Sequence, residues 1–276
     1  MIYTLNCGGA PYLAGHPLIM GILNYTEDSF YEGSRLHSDN QVVEKAVKMA
    51  NEGADIIDIG GQSTRPGSIR IDAQTEIKKI QHLIGSLKKE TGKLISIDTY
   101  HSEVAKAAVD SGADIINDIS GGMMDENMIS EVGKLHVPYI CMHMRGTPEN
   151  MQQLTVYDDI LKELLNYFIE RIERCRQSGI HDVIIDPGFG FAKTIEQNFF
   201  LIKHLSTFKI LQKPILVGVS RKSTIYKTLG ITANEALNGT TVLNTLALEN
   251  GADILRVHDV KEAAEAVKLW MEAAKC

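Results

Sequence analysis

Cysteine is scarce in this chain and never paired in sequence. Cys7, Cys141, Cys175 and Cys276 lie far apart with no C-x-x-C, which argues against a disulfide framework and a cysteine-based zinc site and fits reduced thiols. No stretch of eighteen or more apolar residues occurs, and the first residues show no basic segment followed by an apolar one. The expectation is a soluble, cytoplasmic protein with no membrane contact. Positive charge is also in deficit: the formal net charge is −7, the wrong balance for a surface that wraps nucleic acid. An anionic ligand must therefore be met by locally placed cations. The nine histidines include no H-x-H and no H-E-x-x-H, which opposes a multi-histidine zinc centre. Pro187-Gly188-Phe189-Gly190-Phe191-Ala192-Lys193-Thr194 resembles a nucleotide phosphate loop only superficially, since Pro187 and Ala192 stand where that loop needs glycines.

What is present is a repeated phrase. Gly53-Ala54-Asp55-Ile56-Ile57, Gly112-Ala113-Asp114-Ile115-Ile116 and Gly251-Ala252-Asp253-Ile254-Leu255 each follow a helical pattern and open an apolar run. A glycine that closes a helix in the left-handed conformation, followed by an isoleucine-rich strand, reads as helix, turn, buried parallel strand. Five further short apolar runs, Leu18 to Leu23, Leu94 to Ile97, Pro138 to Met142, Val183 to Ile185 and Ile215 to Val219, bring the strands to eight. Amphipathic stretches such as Asp39 to Asn51, Ala73 to Glu90, Asp158 to Ser178 and Lys261 to Lys275 separate several of them. Strands alternating with helices predict a parallel α/β sheet with right-handed crossovers. The 276 residues, 44% of them hydrophobic, suit the ~250 residues of a TIM (β/α)8 barrel, with a doubly wound open sheet as the alternative. No linker or low-complexity tract marks a second domain, so 1–276 reads as one domain with residues 1–16 as a hairpin or plug.

Nearly every strand ends in a polar residue. In order these are Asn24, Asp58, Asp98, Asn117-Asp118, His143, Asp186, Ser220-Arg221-Lys222, and Arg256 with His258. In a barrel they converge on the C-terminal mouth, where such folds place their chemistry. Singly, Asp58, Asp118 or His143 could as well be the cap of the next helix. As a set they describe a site: Asp98, Asp186 and the Asn117 amide suit a flat amino-pyrimidinone ring, while Arg256, His258 and a helix start near Val260 suit phosphate.

From about Pro17 onward the chain resembles dihydropteroate synthases. The motifs occur in order: Ile19-Met20-Gly21-Ile22-Leu23-Asn24 with Thr26 and Asp28-Ser29-Phe30; Asp58-Ile59-Gly60-Gly61 with Ser63-Thr64-Arg65-Pro66-Gly67; Ser96-Ile97-Asp98-Thr99; and Ile116-Asn117-Asp118-Ile119-Ser120-Gly121-Gly122. Met142-His143-Met144-Arg145-Gly146-Thr147-Pro148, Asp186-Pro187-Gly188-Phe189-Gly190-Phe191, Ser220-Arg221-Lys222-Ser223 and Arg256-Val257-His258-Asp259-Val260 follow.

The resemblance implies transfer of a dihydropterin-methyl group from its diphosphate to the amine of 4-aminobenzoate, with Mg²⁺ and release of pyrophosphate, in a homodimer. It assigns Asp98, Asn117, Asp186, Lys222, Met142 and Phe191 to the pterin, and Asn24, Thr64, Arg256 and His258 to the diphosphate, Asn24 also touching the metal. It assigns Phe30, Thr64, Arg65, Pro66, Lys222 and Ser223 to the aminobenzoate, with Lys222, Asp98, Asp186 and Arg65 as the catalytic set. Rival readings are a pterin-binding paralogue without synthase activity and a methyltetrahydrofolate:corrinoid-type methyltransferase, although the latter should lack the S-T-R-P-G and S-R-K-S pair. The chain departs from the family pattern at Glu27, Glu32, Gln62 and Ala192.

Overall fold

Isoleucine-rich runs bounded by glycine favour strands buried on both faces, and the chain forms them. In a computed structural model, residues 2–25, 35–62 and 70–275 are described, those at 35–38 by backbone alone. Two short strands come first, β1 (Tyr3–Cys7) and β2 (Ala10–Ala14), antiparallel about a two-residue turn. Gly8 and Gly9 both take positive φ, 62° and 91°, as a tight hairpin of that hand requires.

Eight parallel strands follow: β3 (Leu18–Asn24), β4 (Ile56–Gly60), β5 (Leu94–Asp98), β6 (Ile115–Asp118), β7 (Tyr139–Met142), β8 (Val183–Asp186), β9 (Leu216–Val217) and β10 (Ile254–Val257). They neighbour one another in the order β8-β7-β6-β5-β4-β3-β10-β9. A parallel bridge from Ile185 to Ile215 joins the two ends, so the ring closes into a barrel. Around it run α1 (Arg35–Asn51), α2 (Ala73–Thr91), α3 (Ser102–Asp110), α4 (Met128–Leu135), α5 (Ile160–Gln177), α6 (Ile195–Lys203), α7 (Ser223–Leu229), α8 (Leu237–Glu249) and α9 (Val260–Ala273). None of the helices among the described residues is long and apolar enough to cross a membrane.

Side chains alternate across each strand, and the two sets have different partners. Leu18, Ile56, Leu94, Ile115, Ile140, Ile184, Leu216 and Ile254 meet inside the ring, where Leu5, Cys7 and Ala14 of the hairpin join them. The hairpin thus closes the N-terminal end of the barrel. The alternate residues, such as Ile57, Ile95, Ile116 and Leu255, pack against the helices.

The aspartates of the repeated phrase have a defined task at this end. Asp55, Asp114 and Asp253 each accept, through Oδ2, the amide of a residue on the neighbouring strand: Ile19 at 2.9 Å, Ile95 at 2.8 Å and Ile215 at 3.0 Å. Each aspartate also donates its own amide to the carbonyl of that same residue. The result is a two-bond clasp between adjacent elements, at three places around the ring.

Candidate active site

Counting by twos from the inner apolar layer toward the C-terminal end reaches Asn24, Asp58, Asp98, Asn117, Met142, Asp186, Arg256 and His258. Along the inner face the sequence changes from apolar to polar on every strand but β7, where Met142 keeps it apolar, and that change defines the mouth. At its centre lies an ion-pair network. Arg256 donates through Nε to Asp58 Oδ2 at 2.7 Å and through Nη2 to Asp98 Oδ2 at 2.6 Å, while Asn117 Nδ2 donates to Asp58 Oδ2 at 3.2 Å. The remaining oxygens, Asp58 Oδ1 and Asp98 Oδ1, are buried with no partner among the described residues. A buried acceptor without a partner costs roughly 1–3 kcal/mol, so two together in one mouth mark where ligand donors would be received. Burial pushes the Asp98 carboxyl up to about 7, with Asp58 and Asp118 adding to the effect and Arg256 opposing it.

Asp186 and Lys222 form the opposite side. Asp186 Oδ1 accepts the Gly188 amide at 2.7 Å, and burial raises its pKa against the pull of Lys222. Lys222 is the N-cap residue of α7. Its ammonium donates to the Phe189 carbonyl and lies 4.7 Å from the centre of the Phe191 ring. Burial lowers its pKa to about 8, although Asp186 draws it back up. Met142 sits beside Asp186 in register, in an apolar cluster with Tyr100, Met144 and Ala192 against which Phe191 packs. Ser223 opens α7, half-buried. Asn24 ends β3 next to Gly60. His258 is exposed and tethered by Ser220, whose hydroxyl lies 3.0 Å from Nδ1 and accepts the His258 amide at 3.1 Å. Phe30, Thr64, Arg65 and Pro66, together with Glu27 and Glu32, lie outside the described residues.

Two residues gain partners that spacing did not give. Arg256, read with His258 as a phosphate cation, is bonded to Asp98 and Asp58, because a guanidinium inside a ring of buried carboxylates neutralises them. Asp58, open to a capping role in the sequence, is the acceptor on which Arg256 and Asn117 meet. Asp118 points outward and braces the loop after β6, accepting from the Ser120 amide and hydroxyl, the Gly122 amide and the Tyr139 hydroxyl, all at 2.7 Å. His143 is buried beside Lys193. Gln62 gains a reason: its amide donates to Glu76 Oε2 at 3.1 Å and accepts the Tyr100 hydroxyl at 2.7 Å, whereas a carboxylate there would face buried Glu76, whose own carboxyl burial pushes up to about 8.

Residues 20–258 match the model of the pterin binding enzyme family. The dihydropteroate synthase of Escherichia coli K12 is 40% identical over 256 residues, covering 92% of this chain and 90% of that protein. That of Synechocystis is 42% identical over 254 residues, covering 91% and 88%. A Xanthomonas albilineans dihydropteroate synthase solved with 4-aminobenzoic acid superposes with a TM-score of 0.92 at 34% identity, over 100% of both chains. A second structure of the Xanthomonas albilineans enzyme, in complex with 7,8-dihydropteroate, does so with a TM-score of 0.86 at 31% identity, over 99% of both. With identity of this depth across the whole barrel, the chain belongs to the dihydropteroate synthase family of pterin-binding enzymes.

Proposed function

We propose that this mouth condenses 6-hydroxymethyl-7,8-dihydropterin diphosphate with 4-aminobenzoate to give 7,8-dihydropteroate and pyrophosphate, a step of folate synthesis. The observation that carries the reading is the convergence of Asp98, Asn117, Asp186 and Lys222 on one face of a barrel shared with enzymes solved with 4-aminobenzoic acid and dihydropteroate. Asp98 and Asp186 accept from the N–H edge of the pterin, and Lys222 donates to its carbonyl. His258 and the guanidinium donors of Arg256 not used by Asp58 and Asp98 stabilise the leaving diphosphate. As the methylene C–O bond breaks, its electron pair leaves with the diphosphate; the amine nitrogen forms the new C–N bond and then loses its proton to solvent. Phe30, Thr64, Arg65, Pro66, Lys222 and Ser223 are assigned to the aminobenzoate by resemblance. The thiols among the described residues, Cys7, Cys141 and Cys175, are all buried outside the ion-pair network of the mouth, and the chemistry above needs no covalent intermediate.

Among the described residues no group of three or more His, Cys, Asp or Glu is gathered to hold a metal. Mg²⁺ keeps several waters and takes substrate phosphates in preference to an all-protein cage; Asn24 would hold it through its amide oxygen, and the ion would neutralise charge on the leaving diphosphate. Purified protein given both substrates and Mg²⁺ is expected to release pyrophosphate in step with dihydropteroate detected by mass, and a chelator should stop both. Folded protein that forms neither product would refute the proposal.

The pH dependence should be bell-shaped. kcat/KM for the pterin diphosphate reports groups on the free enzyme. Protonating Asp98, poised at about 7, removes an acceptor as pH falls, and discharging Lys222, poised at about 8, removes a donor as pH rises. The maximum is expected between these two values, with the alkaline limb lost in a Lys222→Ala variant; a profile flat from pH 6 to 9 would contradict it.

A homodimer is supported by apolar side chains left exposed on three neighbouring helices, Phe199 and Phe200 on α6, Leu229 on α7, and Val242 and Leu246 on α8. Sedimentation is expected to give twice the 30.5 kDa chain mass, with Phe200→Glu shifting it to a monomer. A cytoplasmic setting is consistent with the free, buried thiols of Cys7, Cys141 and Cys175.

A further inference from the structure

The segment between β8 and α6 is wound around a buried lysine that the chemistry above does not use. Lys193 is 4% exposed. Its ammonium donates to the carbonyls of Gly188 at 3.1 Å and Phe191 at 3.0 Å, and lies 3.1 Å from His143 Nδ1. Burial, with Lys193 nearby, holds the His143 pKa well below its ordinary value, so the neutral ring can accept. These acceptors gather only because the backbone doubles back, with φ of 72° at Gly188, 81° at Gly190 and 50° at Ala192. A Cβ on Gly188 would stand 2.0 Å from the His143 carbonyl oxygen, which no side chain can meet. Left-handed alanine at 192 is unfavourable on its own and persists only where its surroundings over-determine it.

The same segment also reaches the mouth. The Gly188 amide donates to Asp186, the Phe189 carbonyl accepts from Lys222, and the Phe191 ring lies under the Lys222 ammonium. Two lysines therefore hold one strip of backbone, Lys193 through residues 188 and 191 and Lys222 through residue 189. Lysine is almost never fully buried without a partner, and an apolar residue would fill this space without the desolvation cost of a charge.

We propose that Lys193 is a positioning residue for the pterin. It fixes residues 188–191 in the one winding that presents the Phe189 carbonyl to Lys222 and the Phe191 ring to the bound heterocycle. This inference rests on reading the mouth as the pterin site, and acts through Lys222 and Phe191 rather than by contact with the reacting atoms.

The test is a double-mutant cycle of Lys193→Met, which keeps the stem and removes the ammonium, with Lys222→Met. Affinity for the pterin diphosphate is measured by calorimetry without 4-aminobenzoate, followed by steady-state kinetics with both substrates and a thermal melt. In Lys193→Met, pterin affinity is expected to fall by about 10-fold or more and kcat with it, while KM for 4-aminobenzoate at saturating pterin changes by a smaller factor than the pterin affinity does. Because both lysines act on one strip, the loss in the double variant should be clearly smaller than the product of the single losses. Near wild-type pterin affinity in folded Lys193→Met, or losses that multiply, would overturn the proposal. Should Lys193→Met fail to fold, Lys193→Gln, which retains a donor for one carbonyl, takes its place; it is expected to bind pterin less tightly than wild type, and unchanged affinity there counts equally against the idea. Wild-type protein that binds no pterin defeats the reading of the mouth itself, a result distinct from either.

Discussion

Lys222→Ala is expected to lower kcat/KM for the pterin diphosphate by about 30- to 150-fold, the equivalent of roughly 2–3 kcal/mol for a charge-assisted donor lost from a buried site. The ammonium has three neighbours that define its place: the Phe189 carbonyl, the Phe191 ring and the field of Asp186. Removing it also leaves the ligand carbonyl without a donor. The fold should not suffer. Burial lowers the Lys222 pKa to about 8, below the ~10.4 of an unfolded chain, so carrying the charge inside the protein costs stability below pH 8, and that cost fades as pH rises toward 10. The melting temperature of the variant at pH 7 is therefore expected to equal or exceed that of wild type. Lys222→Arg should rescue poorly, because a planar fork does not replace a compact ammonium. Turnover in the alanine variant within a few-fold of wild type would remove Lys222 from the site.

The second large effect is expected at the carboxylates. Asp98→Ala and Asp186→Ala should each weaken pterin binding by about 5- to 150-fold, since each deletes a buried acceptor worth roughly 1–3 kcal/mol to a ligand N–H. They should differ in stability. Asp98 has a folded pKa of about 7, above the ~3.9 of an unfolded chain. Its ionised form thus weakens the fold increasingly from pH 4 to 7, and its removal leaves Arg256 paired with Asp58. Asp98→Ala should lose no stability at pH 8. Asp186→Ala releases the Gly188 amide and is expected to melt lower. Calorimetry beside thermal melts at pH 5 and pH 8 checks both; pterin affinity unchanged in either variant would reject the assignment of that residue.

All eight barrel strands were legible in the sequence because parallel strands buried on both faces read as unbroken apolar runs. The polar residue ending each run located the mouth. Side-chain parity was also present but needed the inner layer as its reference. Asn117 and Asp118 are neighbours in sequence, yet one enters the mouth and the other braces a loop, and only knowing that Ile115 points inward separates them. Asp58 was obscured by its resemblance to a helix cap. The pairing of Arg256 with Asp58 and Asp98 was not legible at all, since it joins residues 198 and 158 positions apart through the curvature of a closed ring. Lys193 was dismissed with a failed phosphate-loop pattern, and its burial follows from three positive φ angles that no local spacing reveals.

The aspartate clasps at the closed end of the barrel have a consequence at the open end. Each serves as a zero mark from which its strand is counted: the third residue after Asp55 is Asp58, after Asp114 is Asn117, and after Asp253 is Arg256. Asn117 and Arg256 both donate to Asp58 across the mouth. One copied unit, anchored at its first polar residue, thus delivers its fourth to the same height in the ring, where a carboxylate, an amide and a guanidinium complete each other. Chemistry can diverge at the fourth place while the first stays fixed. A single residue inserted between them would leave every clasp intact and turn the delivered side chain out toward the helices.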